Sequence, residues 1–468
     1  MAMVNLSGDR AAIPERGAVR RGQAALAITF ALVAALLAGC TGVGGAATSG
    51  PTSTSIPLQS GAMAAAPATP GAVALAAASP PGASPTPAVT IPATSVPQDL
   101  ASPLPSPAPE PGVNSTRQMV SAAVAAALST QLGRKSVYYI GSEGTGAAIW
   151  RLDLDTLKVN RIYGSDVAGF RPEDISPSPD GRQLAIWVDV IPPGANYSAS
   201  SEITLMYTDG SHVRTLTEAP GPLEAVGSPE WSPKGALLAY AHEHFNNTGP
   251  EFLDAVDLHV FDPSDGADRV VVSQDRLESF AWSPDDAQFG LGEASTRPAL
   301  SVLNLSTHQQ RVLWGGPALV FQEQAWQPGG DQIAVTVRTE VPVGSPDSPD
   351  NQDGLYLVSV ITGQHRELVA GSVGGIHWSP DGKLLFYCGL GPPSRPRLFD
   401  VARGTSAILL DQNIDCPGSS PWSPRGDALL LALEQKPPLR YSISVLTLQD
   451  RKVLSLASVD WPYPDLTW

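Results

Sequence analysis

The residues best able to do chemistry in this chain are a handful of carboxylates, two histidines one residue apart, and two late cysteines. His242-Glu243-His244 places imidazoles at i and i+2. On a strand both rings turn to one side and can reach a single metal ion. No third ligand is evident beside them, so the pair reads as the polar opening of a loop, and no metal or other cofactor is expected. Glu173, Asp174, Glu224, Glu278 and Glu323 recur along the middle of the chain. Gathered around one axis they would form an acidic funnel for a cation, an amine or a basic partner. The plainer alternative is a solvated rim on an acidic protein. The stretch from Asp347 through Asp350 to Asp353-Gly354 has the look of a calcium loop but fails as one. Pro349 falls where the first Asp belongs and Val360 where the bidentate Glu belongs.

Other chemistries lack their signatures. The 468 residues hold no Gly-x-Ser-x-Gly elbow, no Walker-type lysine loop and no His-Glu-x-x-His helix. The formal charge is −16, from 29 basic and 45 acidic residues. That balance argues against nucleic acid, whose phosphates need clustered Lys and Arg, and against docking on anionic lipid through a basic surface.

The N-terminus reads as an address. Arg10, Arg16, Arg20 and Arg21 precede an uncharged apolar run over residues 24–38, a positive n-region followed by an h-region. Fifteen helical residues rise about 22 Å, short of a hydrocarbon core of roughly 30 Å. The run ends Leu37-Ala38-Gly39-Cys40, which resembles the bacterial lipobox. The resemblance implies a signal peptide over residues 1–39, cleavage before Cys40, and a lipid on that cysteine that tethers the exported chain to the outer face of a cell membrane. Residues 40–116 are Ala, Pro, Ser, Thr and Gly with scattered aliphatics. After Cys40 their only charges are Asp99 and Glu110. Such a segment cannot bury enough apolar area to offset its ordering entropy, and its prolines favour an extended chain. It is expected to be a disordered stalk. Residues 117–134 suit a short helix, with Asn114, Ser115 or Thr116 as N-cap and Val120, Val124 and Leu128 on one face.

Residues 135–468 are organised by a repeat. Ser178-Pro179-Asp180-Gly181, Trp231-Ser232-Pro233-Lys234-Gly235, Trp282-Ser283-Pro284-Asp285-Asp286, Trp326-Gln327-Pro328-Gly329-Gly330, Trp378-Ser379-Pro380-Asp381-Gly382 and Trp422-Ser423-Pro424-Arg425-Gly426 each precede an apolar strand. Their prolines are 54, 51, 44, 52 and 44 residues apart. A strand-rich period of that length indicates propeller blades. Each motif is a tight turn in which Pro presets φ, Asp bonds its own backbone and Gly supplies positive φ. The motif resembles the WD-type repeat of TolB-like β-propellers, over about residues 136–468. That resemblance implies four antiparallel strands, A to D, in each unit. Pro177 in the Trp position, Asp286 for Gly and Gln327 for Ser depart from the pattern and should loosen their turns.

The two ends of the repeat region are complementary. Strands B, C and D precede the first motif, and Ser458-Val459-Asp460-Trp461-Pro462 resembles a lone A strand. The tail would then close the ring inside the N-terminal blade. The fold expected is all-β, a seven-bladed propeller, with six blades as the alternative. Strand polarity puts the A–B and C–D turns on one face. The B–C and D–A loops open on the other, including long B–C insertions over residues 189–201, 243–255 and 339–354. Insertions of this kind often carry recognition, so the binding face is placed there, at the channel mouth. Cys388 and Cys416 also fall on that face. In an exported domain they would form a disulfide worth roughly 3.5 kcal/mol, the alternative being two buried thiols.

The reading that results is a monomeric, membrane-anchored lipoprotein whose propeller binds a cell-envelope protein, peptide or glycan without chemistry. The runner-up is a hydrolase or lyase acting on glycan or peptide at the acidic mouth. Relatives of such propellers that are peptidases carry an α/β hydrolase domain, and no such domain is expected here.

Overall fold

The computed structural model describes residues 120–143, 146–165, 167–195, 198–246, 253–294, 297–339, 352–389, 394–435, 440–460 and 465–468. The leader, Cys40, the stalk, most of the 347–354 loop and Trp461-Pro462 lie outside the described residues.

The domain is a seven-bladed β-propeller, built from seven four-stranded antiparallel sheets. Blades 2 to 7 run in chain order over residues 170–220, 224–274, 277–315, 319–370, 373–408 and 414–459. Blade 1 holds residues 136–163 and takes its innermost strand from the other end of the chain, Leu466–Thr467, which pairs with Tyr138 and Tyr139. Most blades pack on both faces against neighbours, so their inner strands are apolar almost throughout. Ala428–Gln435, for example, is buried at its first six positions. The outermost strands, such as Val159–Tyr163 and Thr405–Ile408, carry mainly exposed or half-exposed side chains. Burial on both sides explains why a two-residue alternation is weak in the inner strands.

The closing strand is not the one the sequence pattern indicates. Ser458 and Val459 end the outer strand Val453–Val459, paired with Ser442 and Tyr441. The ring is closed seven residues later by Leu466–Thr467. Trp468 follows directly, so this tail repeats the strand-then-Trp half of the motif. A two-residue strand gives a period-two reading too little to register.

The repeat tryptophans join each blade to the one before it. The indole Nε1 of Trp231 donates to Ser176 O at 3.1 Å, Trp282 to Glu230 O at 3.0 Å and Trp326 to Ala281 O at 3.1 Å. Trp378 donates to Ala325 O at 2.9 Å, Trp422 to His377 O at 3.0 Å and Trp468 to Pro421 O at 3.1 Å. Pro177 occupies the corresponding position in blade 2. Its inner strand is held differently: Ile175 N donates to Asp465 Oδ2 at 3.1 Å.

The turns behave as their composition requires, with one correction. Ser178 Oγ donates to Asp180 Oδ1 at 2.6 Å and accepts from Gln183 N at 2.9 Å, and the turns at Ser283 and Ser379 repeat this. Asp286 and Gln327 were expected to loosen their turns, but each ties two blades together. Asp286, at φ +64°, accepts from Ser232 Oγ at 2.9 Å and from Lys234 N at 3.2 Å. Gln327 Nε2 donates to Gly382 O at 2.8 Å. Consecutive turns lie close enough for a longer polar side chain to reach across.

Among the described residues, one helix, Ala122–Leu132, precedes blade 1. Its N-cap is Ser121, whose hydroxyl accepts from Val124 N, and Gly133 closes it in the left-handed region. Asn114, Ser115 and Thr116, the capping candidates, lie outside the described residues. The buried stripe is Ala125, Leu128 and Leu132, while Val124 is 43% exposed and turned to solvent. Leu128 and Leu132 join one apolar cluster with Leu152, Ile443, Leu456, Leu466 and Trp468, so the helix packs over the seam where the ring closes.

Candidate functional site

The sequence-derived candidates divide into two groups rather than forming one funnel. The first lies at the centre of the ring. The inner strands of blades 2 to 6, with the segment after blade 7's inner strand, line a cavity of about 280 Å³ whose wall includes Asp174, Ser279, Glu323, Gln324 and Gly375 together with Trp231, Trp282, Trp326 and Trp378. Asp174 is 8% exposed. Glu323 Oε2 accepts from Ile376 N of the next blade at 3.2 Å. Gln324 Nε2 bonds Ser279 Oγ at 2.9 Å, and Ser279 Oγ donates to Phe321 O at 3.0 Å. Cys416 also borders this cavity and is joined to Cys388 in a disulfide with Cα atoms 6.2 Å apart. Gly375 sits at φ +61°, where a Cβ would stand 2.3 Å from Cys416 Sγ, so only glycine fits beside the bond.

Glu173 and Glu278 do not line this cavity. Glu173 is held by Arg171 at 2.9 Å and Glu278 by Arg276 at 3.4 Å. They act electrostatically on two carboxyls that the sequence reading missed. Asp189, 7% exposed, is pushed up to about 7 by burial and then by Glu173. Glu243 keeps part of its surface in solvent, yet its carboxyl is packed densely enough to be pushed up to about 8. Burial acts first there, then Asp189 and Glu278. Blades 2, 3 and 4 thus contribute acids that raise one another's proton affinity. Each follows an apolar run as one more strand residue, so nothing in its immediate sequence distinguishes it from a loop acid.

The second group is on one sheet face of blade 3. His242 and His244 lie within the strand Leu238–Phe245, not in the loop where the sequence reading put them. The rings stack at 4.5 Å between centroids, as i and i+2 side chains on a strand must lie side by side. The neighbouring strand Glu224–Trp231 pairs Glu224 with His244, which places a third ligand-type side chain on that face. Ligand atoms of Glu224, His242 and His244 all lie within 4.8 Å of one another. His242 Nε2 is 3.4 Å from Glu224 Oε2 but makes no hydrogen bond, and that nitrogen is buried. On the third strand, Leu253–Asp262, Asp257 and His259 share the face. Asp257 Oδ2 meets His244 Nε2 at 3.2 Å, and Asp268 contacts both His259 Nδ1, at 3.3 Å, and the Tyr240 hydroxyl, at 2.5 Å. A period of two in Tyr240, His242, His244 and again in Asp257, His259 was the available signal. Pairing between the strands, which sequence does not specify, was the missing piece.

No protein-family profile matches the chain. An uncharacterized protein of Agrobacterium fabrum is 33% identical over 106 residues, which are 22% of this chain and 34% of that protein. The match thus spans about a third of the length of the curated relative. Among solved structures, TolB from Acinetobacter baumannii matches over 76% of this chain and 88% of its own, at 17% identity and a TM-score of 0.42. An oligogalacturonate lyase in complex with manganese covers 64% and 82%, at 14% identity and TM-score 0.48. The periplasmic gluconolactonase of Pseudomonas aeruginosa covers 71% and 99%, at 15% identity and TM-score 0.45. At these scores the likenesses assign neither substrate nor partner.

Proposed function

We propose that this chain is an exported lipoprotein, anchored through Cys40 to the outer face of a cell membrane, whose propeller binds an envelope protein, peptide or glycan without transforming it. The observation that carries the non-catalytic reading is how the central carboxylates are used. Glu323 of the cavity wall accepts a backbone N–H of the next blade, as Asp465 does at the ring closure, so Glu323 is engaged in holding the ring together. A rigid ring with acids from several blades suits a ligand that presents amines, guanidinium groups or hydroxyls. The leader, lipobox and charge-poor stalk support export and tethering.

A second reading keeps some force from one feature. Asp189 and Glu243 titrate near neutral pH, which is the range a general acid needs. That reading is a hydrolase or lyase acting on glycan or peptide at the acidic channel mouth.

One experiment addresses both. The tagged full-length protein is incubated with envelope extract and, separately, with a glycan and peptide panel. A retained partner, lost with Asp174→Asn in the cavity wall, supports binding. Turnover of a panel compound that disappears in Asp189→Asn supports the enzyme and overturns the binder. Palmitate labelling that persists in Cys40→Ser overturns the anchor.

A further inference from the structure

We propose that Glu224, His242 and His244 form a zinc site on the sheet face of blade 3, separate from the central cavity and independent of the partner-binding reading. Two imidazole nitrogens and one carboxylate are a donor set that zinc takes with a fourth position left for water or a ligand. Four ligands about 2.1 Å from a tetrahedral zinc stand roughly 3.4 Å apart. Glu224 Oε2 and His242 Nε2 already stand at 3.4 Å, and every donor of the set is within 4.8 Å of the others. Small side-chain rotations close the rest.

Three features distinguish this arrangement from an ordinary polar patch. The first is that His242 Nε2 is buried and lacks a hydrogen bond of good geometry, its nearest acceptor being Glu224 Oε2 at 3.4 Å, although a buried polar atom normally has a well-placed partner. A metal ion supplies one. The second is strand geometry. His242 and His244 come from one strand and Glu224 from its neighbour in register with His244, so the backbone ladder, not a mobile loop, sets the ligand positions. The third is an outer partner. Asp257 contacts His244 Nε2 at 3.2 Å and does not belong to the close set of three. A carboxylate on one ring nitrogen fixes tautomer and orientation while the other nitrogen faces the ion. His259 stands beside His242 at 5.9 Å between centroids and is engaged by Asp268, so it supports the face without joining the set.

The test uses the full-length protein, purified in detergent with a tag that contains no histidine and stripped with chelator. Zinc chloride is titrated calorimetrically, and cobalt(II) is added separately as a spectroscopic probe. The expected result is one zinc per chain, a melting temperature raised by zinc and restored by chelator, and visible d–d bands of a tetrahedral N/O site with cobalt. His242→Ala and His244→Ala should each abolish the binding. Asp257→Asn should weaken it by about 10- to 100-fold, the usual effect of an outer partner. His308→Ala, on an exposed turn remote from the face, should bind as wild type does. The proposal is overturned if the stripped wild type takes up no zinc, or if the His242→Ala/His244→Ala double variant takes it up undiminished. Should the double variant fail to fold, a wild-type cobalt spectrum lacking tetrahedral bands overturns the proposal by itself.

Discussion

Asp465 Oδ2 accepts a hydrogen bond from the backbone N–H of Ile175 at 3.1 Å, between residues separated by 290 positions in sequence. It lies at the place in the ring where the repeat tryptophan is replaced, by Pro177, beside the seam where the first and last strands of the ring pair. The last four residues therefore do two jobs. Leu466 and Thr467 complete blade 1, while Asp465 and Trp468 attach that blade to blades 2 and 7.

Removing residues 465–468 should consequently destabilise the propeller far more than their number suggests. Trp468→Ala alone should cost about 3–5 kcal/mol, since the ring is 7% exposed and packed in the closing cluster. Asp465→Asn should cost less, about 1–3 kcal/mol, through loss of a charge-assisted hydrogen bond. Urea unfolding followed by tryptophan fluorescence measures both. Equal stability of the truncated and intact chains would contradict this closure.

The Cys388–Cys416 bond closes a loop with a sequence separation of 28. Reduction, or Cys388→Ser with Cys416→Ser, should lower stability by about 3.5 kcal/mol. Thermal melts with and without reductant give the comparison. An unchanged melt in reductant, with free thiols verified by titration, would mean the bond is not formed in the isolated protein.

Asp189 makes stability depend on pH in a defined direction. Its folded value, about 7, is above the ordinary carboxyl value of 3.8. The folded state therefore holds a proton that the unfolded state has released. The stability this carboxyl contributes is fully present below about pH 4 and is lost as pH rises through 7. Asp189→Asn should melt like wild type near pH 4 and higher than wild type at pH 8, by on the order of 4 kcal/mol. A wild-type advantage at pH 8 would refute the assignment.

Asp286 separates two effects at one residue. It adopts φ +64° and accepts from Ser232 and Lys234 of the preceding blade. Asp286→Gly keeps the conformation and loses the bridge. Asp286→Ala loses the bridge and adds backbone strain, so it should be the less stable of the two by about 1 kcal/mol. If the glycine variant were more stable than wild type, the bridge would contribute nothing.

What the sequence determined by itself is local and periodic. Six turns of defined chemistry, spaced by one blade each, specify the four-stranded unit, because Pro, Asp and Gly dictate backbone geometry within a few residues. The three strands before the first turn favour seven blades over six, and the structure settles the count. Tertiary structure decided the rest. Which tail residues close the ring depends on a two-residue strand and on Trp468 reaching Pro421, a contact with no periodic signal. Glu224 joins His242 and His244 only because strand pairing brings together residues about twenty positions apart. Asp189 and Glu243 acquire their unusual proton affinity from burial against other blades, and burial belongs to the packed ring, not to any segment of it.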